Sequence, residues 1–564
     1  MEPQASFLPA AAVLAPVITA VLIVLARRTP AIRDAILVIG AVVTFAVIAA
    51  LTPGALAGEV RTTSLGELVP GVALSLTADA MGMVFALLAS LLWVLAGFYA
   101  IGYMRGDNAR NQTRFYAFYA LCLSTAFAVA FAGDLLTFFI AYELLTITTY
   151  PLVTHKGDAK AIAAGRTYLG YLLSGGVLVL LAMVIVFATT GQLTFEAGGF
   201  VADHLGAGMT ILVFALFALG FGTKAGLMPL HAWLPGAMVA PTPVSALLHA
   251  VAVVKGGVFA VGRAIGFVVG PGALAEIGVQ TALSAVAGAT ILVASIIALR
   301  QDHLKRRLAY STIAHLAFIV LGFSLVSPTA FQGALMHIVN HGALKITLFF
   351  AAGAIHIAAH KDHVSELDGI GRRMPFTMVA FAVASYGLAG LPPMGGLLSK
   401  WHLILGALEA GQPVFAAVMV GSGLLTAGYL FPIVYRAFFK APPEAAPGDA
   451  APAATGAEPV DGGGPDVEVA GSQTAAVQAA DNEAGDVEVA GSAAATATLT
   501  TPAHEQGAAL DHDDAHDGHG EASPLMVVPL CITAALGLLL GMGDLTGVYA
   551  LALDVATAVT GGGP

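Results

Sequence analysis

Runs of about twenty apolar residues decide what this chain can become. Residues 7–26, 35–51 and 177–188 reach or approach the length that carries an α-helix through a ~30 Å hydrocarbon layer. Of the 564 residues 58% are hydrophobic and 10% charged, against roughly a quarter charged in soluble domains, and no loop offers a soluble catalytic domain. The first run has no basic segment before it and no small-residue cleavage site, so it is expected to stay as a helix.

The hydropathy pattern predicts an all-α polytopic membrane protein with about 14 transmembrane helices, centred near residues 17, 42, 89, 123, 144, 177, 223, 254, 288, 317, 345, 390, 424 and 535. Basic residues gather in alternate loops: Arg27, Arg28 and Arg33; Arg105, Arg110 and Arg114; Lys156, Lys160 and Arg166; Lys305, Arg306 and Arg307; Lys361, Arg372 and Arg373. The positive-inside rule places those loops in the cytoplasm and both termini on the outer face of a bacterial inner membrane.

Residues 1–440 read as the transmembrane core and 524–564 as a C-terminal transmembrane helix. Between them, 441–523 is rich in Ala, Gly, Asp, Glu and Pro, with DVEVAGS at both 466–472 and 486–492. Such a segment buries too little apolar surface to fold and is expected to be a disordered acidic loop. Its His504, His512, His516 and His519 are irregularly spaced, so a solvated loop is expected there and no metal site. The net charge of −11 arises largely in this loop and says little about the membrane part. The two cysteines, Cys122 and Cys531, lie in distant apolar segments, which excludes a disulfide framework or an iron-sulfur or zinc set; no cofactor is expected.

Function is carried by ionisable residues at membrane depth. Each costs about 2.5 to 3.5 kcal/mol at a helix centre on insertion scales, so each needs a partner or a wet cavity and marks an ion or proton path. The candidates are Glu143, Lys224, Lys255, His337, His341, Lys345 and Lys400. Spacing of four puts His337, His341 and Lys345 on one drifting stripe of a helix. In low dielectric a lysine's charged form is disfavoured, and a carboxylate nearby restores it, so a movable Glu–Lys pair acts as a valve. Histidines relay protons between such sites. Lys345 and Lys400 have a blander reading as snorkelling interfacial cations, His315 as a hydrogen-bonded packing residue, and Trp233 and Trp401 as packing or interface aromatics.

Two segments carry helix breaks, Pro229 with Pro235 and Pro392 with Pro393, each beside one of the lysines, Lys224 and Lys400. They lie five spans apart, an odd offset that implies opposite orientation. Two inverted five-helix repeats containing broken helices, about 110–265 and 280–437, are therefore expected.

Three stretches, KAGLMPLHAWLPGAMVAPTPVSALLHAVAVVKGGVF, DHLKRRLAYSTIAHLAF and GRRMPFTMVAFAVASYGLAGLPPMGGLLSKW, resemble the antiporter-like proton-translocating subunits shared by respiratory complex I and the Mrp-type sodium/proton antiporters. The resemblance covers roughly 75–440 and is strongest to the D-type subunits of the Mrp antiporters. It implies a central hydrophilic axis of Glu143, Lys224, Lys255, His337 with His341, and Lys400. It also implies partnership with other membrane subunits, no nucleic acid, and a transporter subunit that is not an enzyme by itself. The expected function is proton conduction in a monovalent cation (Na+)/proton antiporter. The alternative is proton pumping in a complex I-type NADH-quinone oxidoreductase. A glutamate is usual at position 400 in one complex I subunit, and the acidic loop is not typical of the family core.

Overall fold

A computed structural model of the chain describes residues 4–69, 72–441, 520–544 and 547–561. The N-terminal part contains α1 (Leu8–Leu25), α2 (Pro30–Ala49), the short α3 (Thr52–Leu56), α4 (Ala80–Gly106), α5 (Gln112–Phe131), α6 (Leu135–Val153) and α7 (Ala159–Thr190). Then come α8 (Ala207–Ala225), α9 (Trp233–Gly236), α10 (Thr242–Ala250), α11 (Val253–Ala264), α12 (Pro271–Ile277), α13 (Gln280–Arg300) and α14 (Leu304–Ser324). The remainder is α15 (Pro328–Ala359), α16 (Ile370–Arg373), α17 (Pro375–Ala389), α18 (Gly395–Glu409), α19 (Pro413–Phe439), α20 (Pro524–Leu539) and α21 (Val548–Thr560).

Among the described residues twelve helices are long and apolar enough to cross a membrane, with α10 and α11 forming one such stretch. The expected span near 390 is instead two shorter helices, α17 and α18, on either side of a turn. The expected C-terminal helix over 524–564 is also two, α20 and α21, because Gly541, Gly543 and Gly547 interrupt it. Most of the acidic loop, 442–519, lies outside the described residues, together with both heptapeptide copies and His504, His512, His516 and His519. The loop's end is described: Glu521 accepts hydrogen bonds from Thr377 N (3.2 Å) and Thr377 Oγ1 (2.6 Å), which caps the first turn of α17.

A small sheet was not legible in the hydropathy. β1 (Gln4–Ala5) pairs parallel with β2 (Arg61–Val69), which pairs antiparallel with β3 (Val72–Ala78). Its strands of two, nine and seven residues are too short to read as spanning helices, and β3 bridges through Leu76 to Ala132 at the turn between α5 and α6.

Helix starts follow local chemistry. Asp79, Asp134, Asp158 and Ser327 each accept a hydrogen bond from a first-turn backbone N–H of α4, α6, α7 and α15. The basic loops gather on one face: Arg114 Nη2 donates to His155 O (3.0 Å), and Leu304 N donates to Asp362 O (2.8 Å).

The interior is formed by α10, α11, α14 and α15, whose side chains are buried almost throughout. By contrast α1, α2, α7 and α19 turn residues such as Ile18, Ile39, Val177 and Leu424 outward. The helices that carry ionisable groups are therefore mostly the central ones, as the cost of a lipid-facing charge demands. Close approach needs glycine at one point: a Cβ on Gly257 of α11 would sit 2.6 Å from the Lys224 carbonyl carbon. Gly257→Ala should push α11 off the end of α8 and destabilise the protein by roughly 1–3 kcal/mol. A lowered Tm of the detergent-purified chain is the expected readout; the parental Tm would show that the two helices do not touch there.

Candidate functional site

Lys224 sits in the last turn of α8. Gly226 ends that helix at φ 71°, with Leu227 N donating to Gly222 O (2.9 Å) and Gly226 N to Thr223 O (3.1 Å), the two bonds of a Schellman cap. Residues 226–232 then run irregularly through Pro229. Trp233 is fully buried and its Nε1 donates to Thr223 O (2.9 Å), giving that carbonyl a second donor beside Gly226 N. Pro235 lies inside the one-turn α9, where a missing N–H costs no helical bond.

The Lys224 ammonium donates to Tyr142 O at 2.5 Å and lies 3.3 Å from the centroid of the Tyr142 ring. Glu143 is the next residue on α6. Its carboxylate faces Gly176 of α7, where a Cβ would lie 2.7 Å from Glu143 Cδ, and its Oε1 is buried without a hydrogen-bond partner among the described residues. Among the described residues Glu143 makes no ion pair within 4.0 Å. The lysine and glutamate are thus neighbours held apart, with the cation solvated by a carbonyl and a π face.

A second interruption falls at Val251 and Ala252, between α10 and α11, with no proline in it. It places Lys255 in the first turn of α11, where Nζ meets His341 Nδ1 at 2.9 Å. His341 and His337 project from α15, as their spacing requires, and His315 of α14 stands against both. His315 Nδ1 lies 3.1 Å from His337 Nε2, and the His315 and His341 ring centroids are 5.4 Å apart. His337 Nδ1 in turn meets Ser399 Oγ at 2.9 Å. His315, His337, His341 and Lys255 are all at most 1% exposed. His315, read from sequence as a packing residue, is thus the link between the two α15 histidines. Its signal was present in the motif STIAHLAF, but a lone histidine in an apolar helix reads as core.

Lys345 departs from the stripe. Its Nζ donates to Ser311 Oγ (2.7 Å) and Leu308 O (3.2 Å) on α14, and no hydrogen bond joins it to the histidines among the described residues. Ser311 Oγ pairs with Tyr429 OH (2.9 Å), leading towards α19.

Lys400 follows Ser399 on α18. The turn before it contains Pro392 and Pro393, and Gly390 closes α17 at φ 86°. Lys400 Nζ donates to Leu388 O (2.6 Å) and Ala389 O (3.3 Å), carbonyls orphaned by the end of α17. Lys400 is 5% exposed, which removes the snorkelling reading. The two breaks are used differently, since Lys224 precedes its turn and Lys400 follows its own.

On the basic face a cavity of about 220 Å³ is lined by Lys156, Lys160, His303, Lys305, His356 and Asp362, among others. His356 Nδ1 lies 3.1 Å from both Asp362 oxygens, a contact that holds the Asp362 carboxyl down at about 2. That carboxylate is therefore charged at any working pH.

This chain is 35% identical over 377 residues, 66% of its length, to NADH-quinone oxidoreductase subunit N of Desulforudis audaxviator (strain MP104C), and spans 75% of that protein. It is 33% identical over 415 residues, 72% of its length, to the A/B subunit of a probable K(+)/H(+) antiporter of Rhizobium meliloti (strain 1021), but spans only 40% of that protein. A chain in the structure of the Mrp complex from Dietzia sp. DQ12-45-1b has the same fold, with a TM-score of 0.75 over 98% of both chains at 22% identity. Residues 132–426, which hold every charged and histidine side chain of the array described above, match the family described as NADH:quinone oxidoreductase/Mrp antiporter, TM. The chain belongs to that family, as one of the antiporter-like subunits of the Mrp and complex I kind.

Proposed function

We propose that this chain conducts protons as the D-type subunit of a multisubunit monovalent cation (Na+)/proton antiporter of a bacterial inner membrane. The observation that supports this is the buried line from Lys255 through His341, His315 and His337 to Ser399, which neighbours Lys400 in sequence. Each imidazole takes a proton on one nitrogen and releases one from the other. The buried Nε2 atoms of His341 and His315 have no hydrogen-bond partner among the described residues, and a water between the two rings would find a polar partner on each. Glu143 and Lys224 form the valve at the other end. Movement of the carboxylate towards the ammonium favours the charged lysine, and separation favours release. Residues 110–265 and 280–437 act as inverted repeats around this line, and the cavity at Lys305 and Asp362 is its cytoplasmic mouth.

A second reading, proton pumping within an NADH-quinone oxidoreductase, is favoured by the identity with subunit N of such a complex. The two separate in sealed vesicles holding the whole complex. A sodium jump without any electron donor collapses a pH gradient in the first case and leaves it intact in the second.

Substitutions at Glu143, His315, His337 and Lys400 test the line in that vesicle assay. Glu143→Gln keeps shape and removes the charge, so antiport should be lost while the assembled complex is still recovered; normal antiport removes Glu143 from the valve. His315→Ala and His337→Ala should each lower flux at least about tenfold, because each breaks the same relay. A packing role would instead lower the yield of complex and spare the flux of what remains. At position 400, Met should lose more than about tenfold, and Arg should fail as well because it does not release its proton. Glu, which titrates, should retain more activity than either. Full transport with Met would end the line at Ser399.

A further inference from the structure

Away from the axis, the ends of α1 and α4 and the starts of α2 and α5 enclose a surface groove of about 830 Å³. It is lined by Arg27, Arg28, Arg33, Arg105 and Arg114, with Asp34 the one acidic residue in its wall. We propose that this groove binds the phosphate headgroup of an anionic phospholipid.

Three features carry the proposal. First, the acid organises the groove without neutralising it. Asp34 takes Arg33 Nη2 at 2.8 Å and Arg105 Nη2 at 2.6 Å, and Arg33 also donates to Gln112 Oε1 (2.8 Å), so these guanidinium groups are fixed before any ligand arrives. Arg27 and Arg28, in the turn between α1 and α2, are exposed and make no hydrogen bond or ion pair through their side chains among the described residues. Arginine's planar fork suits the paired oxygens of a phosphate. Second, Asn111 gives α5 no side-chain cap, so the first-turn N–H groups of this 20-residue helix add a positive end to the same wall. Third, the groove lies where spanning helices end, and α1 and α2, whose ends line it, expose Val21, Leu22, Leu25, Ile32 and Ile39. A headgroup in the groove lets its acyl chains lie along those side chains, which a soluble phosphate does not use. Basic pockets at the ends of transmembrane helices recognise lipid phosphates by this combination. The inference is independent of which complex the chain serves.

Native mass spectrometry of the full chain in mild detergent tests it, with phosphatidylglycerol or phosphatidylcholine added. Phosphatidylglycerol adducts should survive activation that strips phosphatidylcholine, and the double variant Arg27→Ala/Arg28→Ala should lower their fraction by roughly fivefold. Arg27→Lys/Arg28→Lys should keep most of it, and excess inorganic phosphate should not displace the lipid. An unchanged Tm of the alanine variant in phosphatidylcholine nanodiscs shows that the loss is not unfolding. Equal retention of the two lipids, or undiminished adducts in the alanine variant, overturns the proposal. So does displacement by inorganic phosphate, which marks a soluble-anion site. Loss of the adduct when the whole complex is measured also overturns it, since a partner's acidic surface then fills the groove.

Discussion

A buried ammonium must be solvated by the protein, and much of this structure follows from how four lysines meet that demand. Three of them use backbone carbonyls: Lys224 that of Tyr142, Lys345 that of Leu308, and Lys400 those of Leu388 and Ala389. The fourth, Lys255, uses an imidazole. None forms an ion pair within 4.0 Å among the described residues. Carbonyls and rings hold a cation without locking it, because neither carries the full countercharge that would make loss of the proton prohibitive. A tight Glu–Lys pair at each position would be a more stable arrangement of charge and a worse conductor.

Helix breaks serve this solvation. An unbroken α17–α18 helix would have used the carbonyls of Leu388 and Ala389 in its own ladder. The turn at Pro392 and Pro393 frees them, and Lys400 reaches back to take both. In the other half Gly226 and Trp233 close the end of α8, so Lys224 reaches across to α6 instead. The interruption at Val251 and Ala252 sets Lys255 at a helix start facing His341. Backbone irregularity at membrane depth is tolerated here because α10, α11, α14 and α15 are enclosed by other helices.

The sequence made the helical architecture, the ionisable positions and the two proline breaks readable, since each depends on local composition or on a residue with a fixed backbone effect. What it hid depends on tertiary contact. His315 looks like core because nothing on α14 announces the two histidines of α15 beside it. Lys345 keeps its helical spacing from His341 yet turns to Ser311, since spacing fixes the face of a helix and not the partner. The break at Val251 has no proline or glycine in it. The β2–β3 hairpin lies in a stretch that hydropathy records only as a loop, and the apolar composition after Pro524 does not announce that α20 (16 residues) and α21 (13 residues) are separate helices.

If the histidines and Lys400 belong to one conduit, their losses cannot add. Proton flux through the assembled complex in proteoliposomes should be compared for His341→Ala, Lys400→Met and the double variant. A single line gives a double variant no slower than the worse single, because a broken conduit is not broken further. Independent multiplication of the two losses would mean that His341 and Lys400 serve separate routes, and the continuous axis drawn here would be wrong.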